Sequence, residues 1–298
     1  MPLRLLISNL TSTMSAYPIS EPGNMSRDGT PPSIPAKTLL LAHQLPELGE
    51  QHLRECLDRT VGDGCDIRHF YEVMLDAIKS NKVYLVKELL RCKMPVSPIY
   101  VLEAVKAKAK DILTTFFDNG WDINTPMNGL DPPILANALE DLEMTTWLLD
   151  RGADANARCD IDNTPLSYAV RYAGLPAIDL LLRRGGDVNI GQLVHNAIYR
   201  EVDTLKVVEF LIDRGASVNS LMYQTHQYSR NMFPFMRETP LHTAVALKRA
   251  DVIRYLIHKG ASVEIKDCRG QTVLQSADEE TRILIMQEIR SSSVLHAY

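Results

Sequence analysis

Apolar residues recur along the chain in short groups with helical spacing, and polar turns separate these groups. Two clear groups are Val207, Val208 and Leu211 in one segment and Val252, Ile253 and Leu256 in another. Apolar positions three or four residues apart lie on one face of a helix, so each group predicts a short amphipathic helix. Helices this short are unstable alone, and each must bury its apolar face against a neighbour.

A second pattern repeats around these helices. The box Thr164-Pro165-Leu166 and the box Thr239-Pro240-Leu241 are each followed, 21 positions after their Thr, by a glycine, Gly185 or Gly260. A Thr hydroxyl can cap a first helix, Pro fits its first turn, and Gly supplies the left-handed residue after a second helix. The pattern therefore predicts helical hairpins. The step of 33 residues from Gly152 to Gly185 predicts that the hairpins stack in a regular array.

Weaker copies of the box align before and after these two. Over about residues 70–290 the chain resembles the ankyrin-repeat family, and its divergent repeats with a Pro- and Ser-rich head look like ankyrin proteins of filamentous fungi. The resemblance implies an all-α ankyrin-repeat solenoid of stacked helical hairpins with a disordered N-terminal tail. We expect units at about 70–98, 99–131, 132–163, 164–191, 192–238, 239–271 and 272–291.

The segments that flank the array differ from it in composition. Residues 1–37 contain six prolines and many Ser and Thr, and we expect them to be disordered because they can bury too little apolar surface. Residues 38–69 predict a helical capping segment, and 292–298 a C-terminal tail. The first unit has Lys93 where the others have their closing glycine. The last unit ends in a charged helix, 278–290, for which we expect a wettable outer face.

Composition and motifs exclude several classes of function. A net charge of −5 argues against direct binding of nucleic acid, and no apolar run approaches the roughly 18 residues that cross a bilayer. The five scattered cysteines favour a reducing compartment, so we expect a cytoplasmic or nuclear protein. No phosphate-binding, nucleophile or zinc-protease motif is present. We expect no enzyme activity, cofactor, metal site, membrane contact or small-molecule substrate.

Some polar residues invite a chemical interpretation that we consider weaker than a structural one. Cys56, Cys65 and His69 have a spacing that fits no usual zinc site. His195 and His242 occupy the His position of the family's box, and the resemblance implies that each braces the next repeat through a backbone hydrogen bond. Cys159 and Cys268 fall where exposed inter-repeat loops are expected, so redox sensing is an alternative for them.

The resemblance implies a concave groove lined by the outer positions of the first helices. Carried over position by position, the middle of this groove contains Tyr168, Arg171, Tyr172, Asn196, Tyr199 and Arg200. Tyr and Arg are frequent anchors of protein interfaces, and in this register no acidic residue of the groove lies close to them. The alternative is that the tyrosines only pack on neighbouring repeats.

One loop is twelve residues longer than the usual connection and lies within Ser220–Glu238. It is rich in aromatic residues and Met, and its candidate partner-binding residues are Tyr228, Arg230, Phe233 and Phe235. Apolar side chains in a loop indicate a recognition surface or a loop that packs back on its own array, and disorder is a third alternative.

These observations predict a non-enzymatic protein-protein interaction module, an adaptor or scaffold that holds a partner peptide or domain in its groove. The alternatives are a transcription co-regulator that acts through a DNA-binding partner and an accessory subunit of an enzyme complex. Unpaired arginines beside tyrosines predict a partner segment that is acidic and carries apolar anchors.

Overall fold

The computed structural model describes residues 44–295, which contain helices and turns and no strand. The predicted N-terminal tail, the first residues of the capping segment and the end of the C-terminal tail lie outside this range. The chain divides into two compact parts, of which the first ends at Glu47 and has one described element, a short 3-10 helix at Leu45–Glu47. Everything below concerns the second part, which begins at Leu48.

The second part is a series of short α-helices joined by turns and loops. Its first half contains α1 (Glu50–Gly62), α2 (Tyr71–Lys79), α3 (Val83–Arg91), α4 (Pro98–Lys106), α5 (Lys110–Asp118), α6 (Leu142–Leu149) and α7 (Pro165–Tyr172). Its second half contains α8 (Leu175–Arg183), α9 (Leu193–Ile198), α10 (Thr204–Ile212), α11 (Gln227–Met232), α12 (Pro240–Ala246), α13 (Ala250–His258), α14 (Val273–Ser276) and α15 (Glu279–Leu295). Further 3-10 helices span Ile67–Phe70, Ile134–Asn137 and Pro234–Met236.

The ends of the hairpins are set by the residues that the sequence pattern singles out. The Thr164 hydroxyl accepts a hydrogen bond from the Ser167 backbone N–H at 3.0 Å, which caps α7, and Thr239 caps α12 in the same way. Gly185 and Gly260 have φ of 98° and 86°, the left-handed conformation that stops the second helix. Lys93 has φ of 67° and therefore makes the same turn without a glycine, which explains how the first unit closes.

Successive hairpins pack first helix on first helix and second helix on second helix. Thus α9 lies between α7 and α12, and α10 packs against α13. The two apolar columns predicted from the sequence, headed by Val207 and Val252, are buried between these layers. The array is closed at its far end by α15, which packs on α13. The prediction of an all-α solenoid is therefore confirmed.

The fifth unit departs from this regular geometry in two places. Its helices are joined by a longer turn, because 20 residues separate His195 from Gly215, against 18 between His242 and Gly260. Asp203 in this turn is left-handed, with φ of 53°. After the second helix, the inserted loop folds into α11 and the 3-10 helix Pro234–Met236, so it is an ordered finger rather than a disordered loop.

The closing helix α15 is less polar on its outer side than we expected. Ile283 and Met286, one turn apart, are about half exposed there, among charged neighbours such as Glu279, Glu280 and Arg290. The outer face that we expected to be wettable therefore includes these two apolar positions among its exposed charges. Across the described residues, no helix is both long and apolar enough to cross a bilayer.

Candidate functional site

Four of the predicted groove residues form a continuous group on α7 and at the end of α9. The rings of Tyr168 and Tyr172, one turn apart on α7, meet edge to face with centroids 5.5 Å apart. The Arg171 guanidinium lies over two rings, 5.5 Å from the centroid of Tyr172 and 5.0 Å from that of Tyr199. Both distances are within the range of cation–π attraction, which fixes the guanidinium between the two units.

The inserted finger adds two rings to this group. Tyr223 and Phe233 stack with centroids 5.6 Å apart, and both side chains are half-buried. The Tyr223 backbone N–H donates to Gln192 Oε1 just before α9, which places the stacked pair at the start of the helix that precedes Tyr199. Burial raises the pKa of Tyr223 to about 12, the Asp162 carboxylate raises it further, and the positive charge of Arg171 acts in the opposite direction. The name recognition wall is used below for the six residues of this surface: Tyr168, Arg171, Tyr172, Tyr199, Tyr223 and Phe233.

Tyr223 was missing from the sequence-based set of site residues. The sequence shows it only as one of several aromatic residues in a long loop, and no repeat pattern gives its register there. In the structure its backbone is left-handed, with φ of 58°, which turns the chain back toward the array. Such a turn at a non-glycine residue is set by tertiary contacts rather than by local preference, so the sequence carried no signal for it.

The tyrosines of the wall are not equally free to contact a partner. Tyr172 is 68% exposed, whereas Tyr168 and Tyr199 are half-buried and burial raises the pKa of both hydroxyls. The Tyr168 hydroxyl donates a hydrogen bond to Asp131 Oδ1 at 2.5 Å. Asp131 comes from a preceding inter-repeat loop, so the expectation that no acidic residue lies close to the groove tyrosines is wrong.

Arg171, in contrast, has no acidic partner within salt-bridge distance among the described residues. Its hydrogen bond to a neutral group is long, 3.4 Å from Nη1 to Asn196 Oδ1. Asn196 is itself fixed because its Nδ2 donates to the Gly191 carbonyl at 2.9 Å. Asn196 therefore contacts Arg171 from a fixed position on α9, and the remaining guanidinium donors of Arg171 are available to an external group.

Arg200 does not belong to this surface, although the sequence register placed it there. Only 6% of the residue is exposed. Its Nη1 donates to the Val170 carbonyl at 2.5 Å and its Nε to the Val202 carbonyl at 3.1 Å. Arg249 Nη2 in turn donates to the Arg200 carbonyl at 2.6 Å. The longer turn of the fifth unit folds Arg200 under the array, where it joins neighbouring units.

The finger presents a second set of side chains to solvent. Phe235 is 85% exposed, and Tyr228 and Met232, one turn apart on α11, are about half exposed. Arg230 is exposed and has only a long bond, 3.4 Å, from Nη1 to the Gln224 carbonyl. The finger thus combines two of the alternatives drawn from the sequence: Met222, Tyr223 and Phe233 pack inward, whereas Tyr228, Met232 and Phe235 face outward.

The histidines of the boxes have the bracing role that the family resemblance implied. His195 is buried, and its Nε2 donates to the Glu238 carbonyl at 3.0 Å. His242 Nε2 donates to the Gln271 carbonyl at 3.2 Å. Burial lowers the pKa of His195 to about 4 and lowers that of His242 as well, so both side chains are neutral in the folded protein.

Groups that could suggest catalysis have structural roles. His226 and Ser229 lie 2.8 Å apart, from Nδ1 to Oγ, but Ser229 is fully buried and His226 caps α11 by accepting from the Ser229 backbone N–H. Among the described residues, no group of three or more His, Cys, Asp or Glu side chains could hold a metal ion. Because Ser229 has no solvent access, its hydroxyl is not placed to act as a nucleophile.

The cysteines expected in exposed loops differ from each other. Cys268 is exposed, but Cys159 is buried, and burial raises the pKa of its thiol to about 11. The expectation of an exposed Cys159 is therefore wrong. The Cys159 thiol donates to the carbonyl oxygens of Ile161 and Asn163, so this side chain packs within a turn and has a structural role.

Several cations that follow the second helices, away from the wall, form ion pairs between units. Arg184 contacts Asp150 at 2.7 Å, Arg214 contacts Asp179 at 3.1 Å, and Lys259 contacts Asp213 at 3.0 Å. A shallow depression of about 710 Å³ lies between α3 and α5, and its lining mixes Lys87 and Arg91 with acids and threonines. Because several cations of these surfaces are already paired with carboxylates, the recognition wall is the better candidate for binding.

Comparison with known proteins agrees with the fold. Residues 101–192 match the family model described as ankyrin repeats (3 copies), and residues 236–268 match the model of the ankyrin repeat. The solved structure of the human ASB11 ankyrin repeat domain is similar, with a TM-score of 0.51 and 20% identity over 72% of this chain and 96% of that one. At this level of identity the structural likeness concerns the fold alone.

Two relatives match over less of the chain. Alpha-latrocrustotoxin-Lt1a of Latrodectus tredecimguttatus is 31% identical over 144 residues, 48% of this chain and 10% of the toxin. The BRCA1-associated RING domain protein 1 of Caenorhabditis elegans is 28% identical over 120 residues, 40% of this chain and 16% of the relative. The chain thus spans a small fraction of either relative. Ankyrin repeats are generally protein-protein interaction modules and typically non-catalytic. The family matches and the stacked hairpins together show that residues 101–192 and 236–268 of this chain are ankyrin repeats.

Proposed function

We propose that the protein is a non-enzymatic adaptor or scaffold that binds a segment of another protein against the recognition wall. The observation that carries this proposal is the environment of the Arg171 guanidinium. Its guanidinium is held between the rings of Tyr172 and Tyr199 and has no acidic partner among the described residues. Elsewhere in the array, several cations bridge to carboxylates of neighbouring units.

The chemistry of the wall favours an acidic partner segment with apolar anchors. A guanidinium presents several N–H donors in one plane, and a carboxylate can accept two of them at once. Around Arg171, the wall offers flat aromatic area, and the nearby finger exposes Tyr228, Met232 and Phe235. Aromatic side chains lose little conformational entropy on binding, which suits them to receive apolar anchors.

The two other functions suggested by the sequence use the same surface and differ only in the partner. A transcription co-regulator would hold a DNA-binding protein there, and a subunit of an enzyme complex would hold a catalytic chain. Affinity capture with the whole chain, followed by identification of proteins that depend on Arg171, separates these alternatives. The cytoplasmic or nuclear location expected from the cysteines remains a prediction, which imaging of the tagged chain would test.

The first experiment selects random peptides displayed on phage against the immobilised full chain. We expect the enriched peptides to combine Asp or Glu with aromatic or aliphatic residues. Arg171→Gln should weaken a selected peptide at least about tenfold, or about 1.4 kcal/mol, because a charged hydrogen bond is lost. Isothermal titration calorimetry of the synthetic peptide measures the change.

Arg184→Gln is the matched control, since it removes the same charge from the outer side of the array, where Arg184 pairs with Asp150. This control should bind the peptide like the wild type. If Arg171→Gln remains folded by circular dichroism and binds every selected peptide unchanged, then the wall is not the binding surface and the proposal is wrong.

A further inference from the structure

The recognition wall takes two of its rings, Tyr223 and Phe233, from the inserted finger, so its shape depends on where the finger is held. We propose that the side-chain amide of Gln192 positions the finger against the array and thereby completes the wall. This inference rests on the proposed function for its effect on binding, while its effect on the finger can be measured alone.

The geometry at Gln192 uses both ends of the amide. Its Nε2 donates to Asp162 Oδ2 at 2.5 Å, and its Oε1 accepts from the Tyr223 backbone N–H at 2.9 Å. An amide is the side-chain group that donates on one side and accepts on the other, whereas a carboxylate at neutral pH only accepts. Gln192 therefore joins a carboxylate of the array to the backbone of the finger in a way that Glu cannot reproduce.

The carboxylate at the other end of this bridge is itself fixed. The Asp162 side chain has no solvent exposure, and its Oδ1 accepts from Arg158 Nε at 2.7 Å. The Asp162 backbone N–H donates to Ser229 Oγ of the finger at 2.8 Å, and Ser229 is also fully buried. The loop around Asp162 thus holds the finger at two points, directly at α11 and through Gln192 at Tyr223.

The backbone of Gln192 and that of Tyr223, which the bridge holds, are both in an unfavourable conformation. Gln192 and Tyr223 each have φ of 58°, in the left-handed region that residues with a Cβ seldom adopt. Their mutual hydrogen bond spans these two residues, so tertiary contacts are what keep them there. Without the bridge, Tyr223 is expected to relax to an ordinary conformation and to carry its ring away from Arg171.

The anchoring of the finger is not confined to this bridge. The two ends of the finger are also joined, because the Met222 backbone N–H donates to the Glu238 carbonyl at 2.9 Å, and Met222 is buried. Losing the bridge should therefore loosen the segment between these points without detaching it. The array, with its buried columns on α10 and α13, should keep its own stability.

The test replaces Gln192 by Glu, which would set a second carboxylate against the buried Asp162. Hydrogen exchange followed by mass spectrometry should show the amides of 223–233 exchanging at least about tenfold faster, with the amides of α12 and α13 unchanged. The phage-selected peptides should bind at least about tenfold more weakly, because two rings of the wall are displaced.

A double variant, Gln192→Glu with Asp162→Asn, supplies the rescue. The new amide at 162 can donate to the new carboxylate at 192, which still accepts from the Tyr223 N–H. Both the slow exchange of the finger and the peptide affinity should return. A merely structural defect at Gln192 would not be repaired by a second change at a buried position. If Gln192→Glu does not fold, Gln192→Met, which has a similar length and no polar ends, replaces it.

Each outcome decides a different claim. Unchanged exchange in 223–233 would show that the Gln192 bridge does not hold the finger, whatever the peptides do. Faster exchange with unchanged peptide affinity would show that the finger does not shape the binding surface, and the inference would again fail. If the wild type selects no peptide, the proposed function fails, while the exchange data still decide whether Gln192 positions the finger.

Discussion

Arg171 and Arg200 show how far single residues could be placed from the sequence. Both lie near the end of a first helix, and the repeat register put both in the groove. Arg171 follows that register, because the fourth unit has the regular length between its box and its glycine. Arg200 is followed by a turn that is two residues longer, and its guanidinium donates to the Val170 and Val202 carbonyls instead. A repeat pattern predicts side-chain direction only where the backbone repeats.

The same reasoning divides the residues of the site into those that the repeat register could place and those that it could not. Tyr168, Tyr172 and Tyr199 could be placed because they lie on or next to regular helices. Asp131, which accepts from the Tyr168 hydroxyl, comes from an irregular loop of an earlier unit, and the first-helix register did not include it. The contact is between residues 37 positions apart, and no local pattern in a single sequence indicates such a pair.

Buried His195 leads to a prediction on pH. Burial lowers its pKa to about 4 from an ordinary value of 6.5, so the unfolded chain binds a proton in this range and the folded chain does not. The contribution of neutral His195 to the free energy of unfolding is complete above pH 6.5 and is lost as the pH falls toward 4. It amounts to at most about 3 kcal/mol. Urea unfolding at a series of pH values should show the midpoint falling over this range.

His195→Gln isolates this contribution from those of neighbouring groups. His242, whose pKa burial also lowers, acts in the same direction, whereas Glu238, whose pKa burial raises, acts in the opposite one. The Gln variant retains a donor for the Glu238 carbonyl but cannot titrate. Its loss of stability on acidification should be smaller than that of the wild type. An identical pH dependence would mean that His195 does not titrate between the two states.

At the scale of elements, the helices were predictable and the finger was not. Thr caps, closing glycines and apolar columns all specify the hairpins, so local preference and packing agree. The inserted finger has no repeat to align with, and its composition fitted both recognition and self-packing. Its fold depends on contacts with Asp162 in the third unit and with Gln192, 31 positions before Tyr223, so no local pattern indicates that the finger serves both purposes.

The second-helix columns lead to a prediction on packing. Leu256 on α13 is fully buried against neighbouring units. Leu256→Ala should lower the free energy of unfolding by about 2–5 kcal/mol, because the cavity cannot collapse completely between stacked helices. Leu247→Ala, at an exposed position after α12, is the control and should change it by less than about 1 kcal/mol. Equal unfolding midpoints for the two variants would contradict the assignment of this column.

At the largest scale, the second part of the chain is an array in which each unit contacts mainly the next, so its cooperativity depends on the junctions. Several junctions have a similar clasp, in which an Asn after the second helix donates to the closing glycine carbonyl of the next unit. Asn124 bonds Gly152, Asn156 bonds Gly185 and Asn219 bonds Gly260. Asn189 occupies this position between the fourth and fifth units, but its side chain makes no such bond within the described part of the chain.

Arg200 connects the fourth, fifth and sixth units at this irregular junction. Its guanidinium reaches back to the Val170 carbonyl of the fourth unit, and its own carbonyl accepts from Arg249 of the sixth. The identity of this clasp could not be predicted from the sequence, since it depends on the longer turn after Arg200. It follows that Arg200 strengthens the coupling between units at the junction where the Asn189 side chain makes no such bond.

Removing the Arg200 side chain should cause the units before and after this junction to unfold at different urea concentrations. Arg200→Met leaves the Val170 and Val202 carbonyls without their donor, which costs about 1–3 kcal/mol at a single junction. Both tryptophans, Trp121 and Trp147, lie before this junction, so their fluorescence reports on the first half while circular dichroism reports on all helices. In the wild type, the two signals should change at the same urea concentration.

In Arg200→Met the two signals should separate, because a linear array whose central junction is weakened no longer unfolds as one. Arg230→Met is the matched control, since Arg230 is exposed on the finger and crosses no junction, and its two transitions should stay together. If Arg200→Met lowers the urea midpoint but keeps the transitions coincident, then the clasp stabilises the array without being its weakest coupling. In that case the regular packing of α7 on α9 is sufficient to join the two halves.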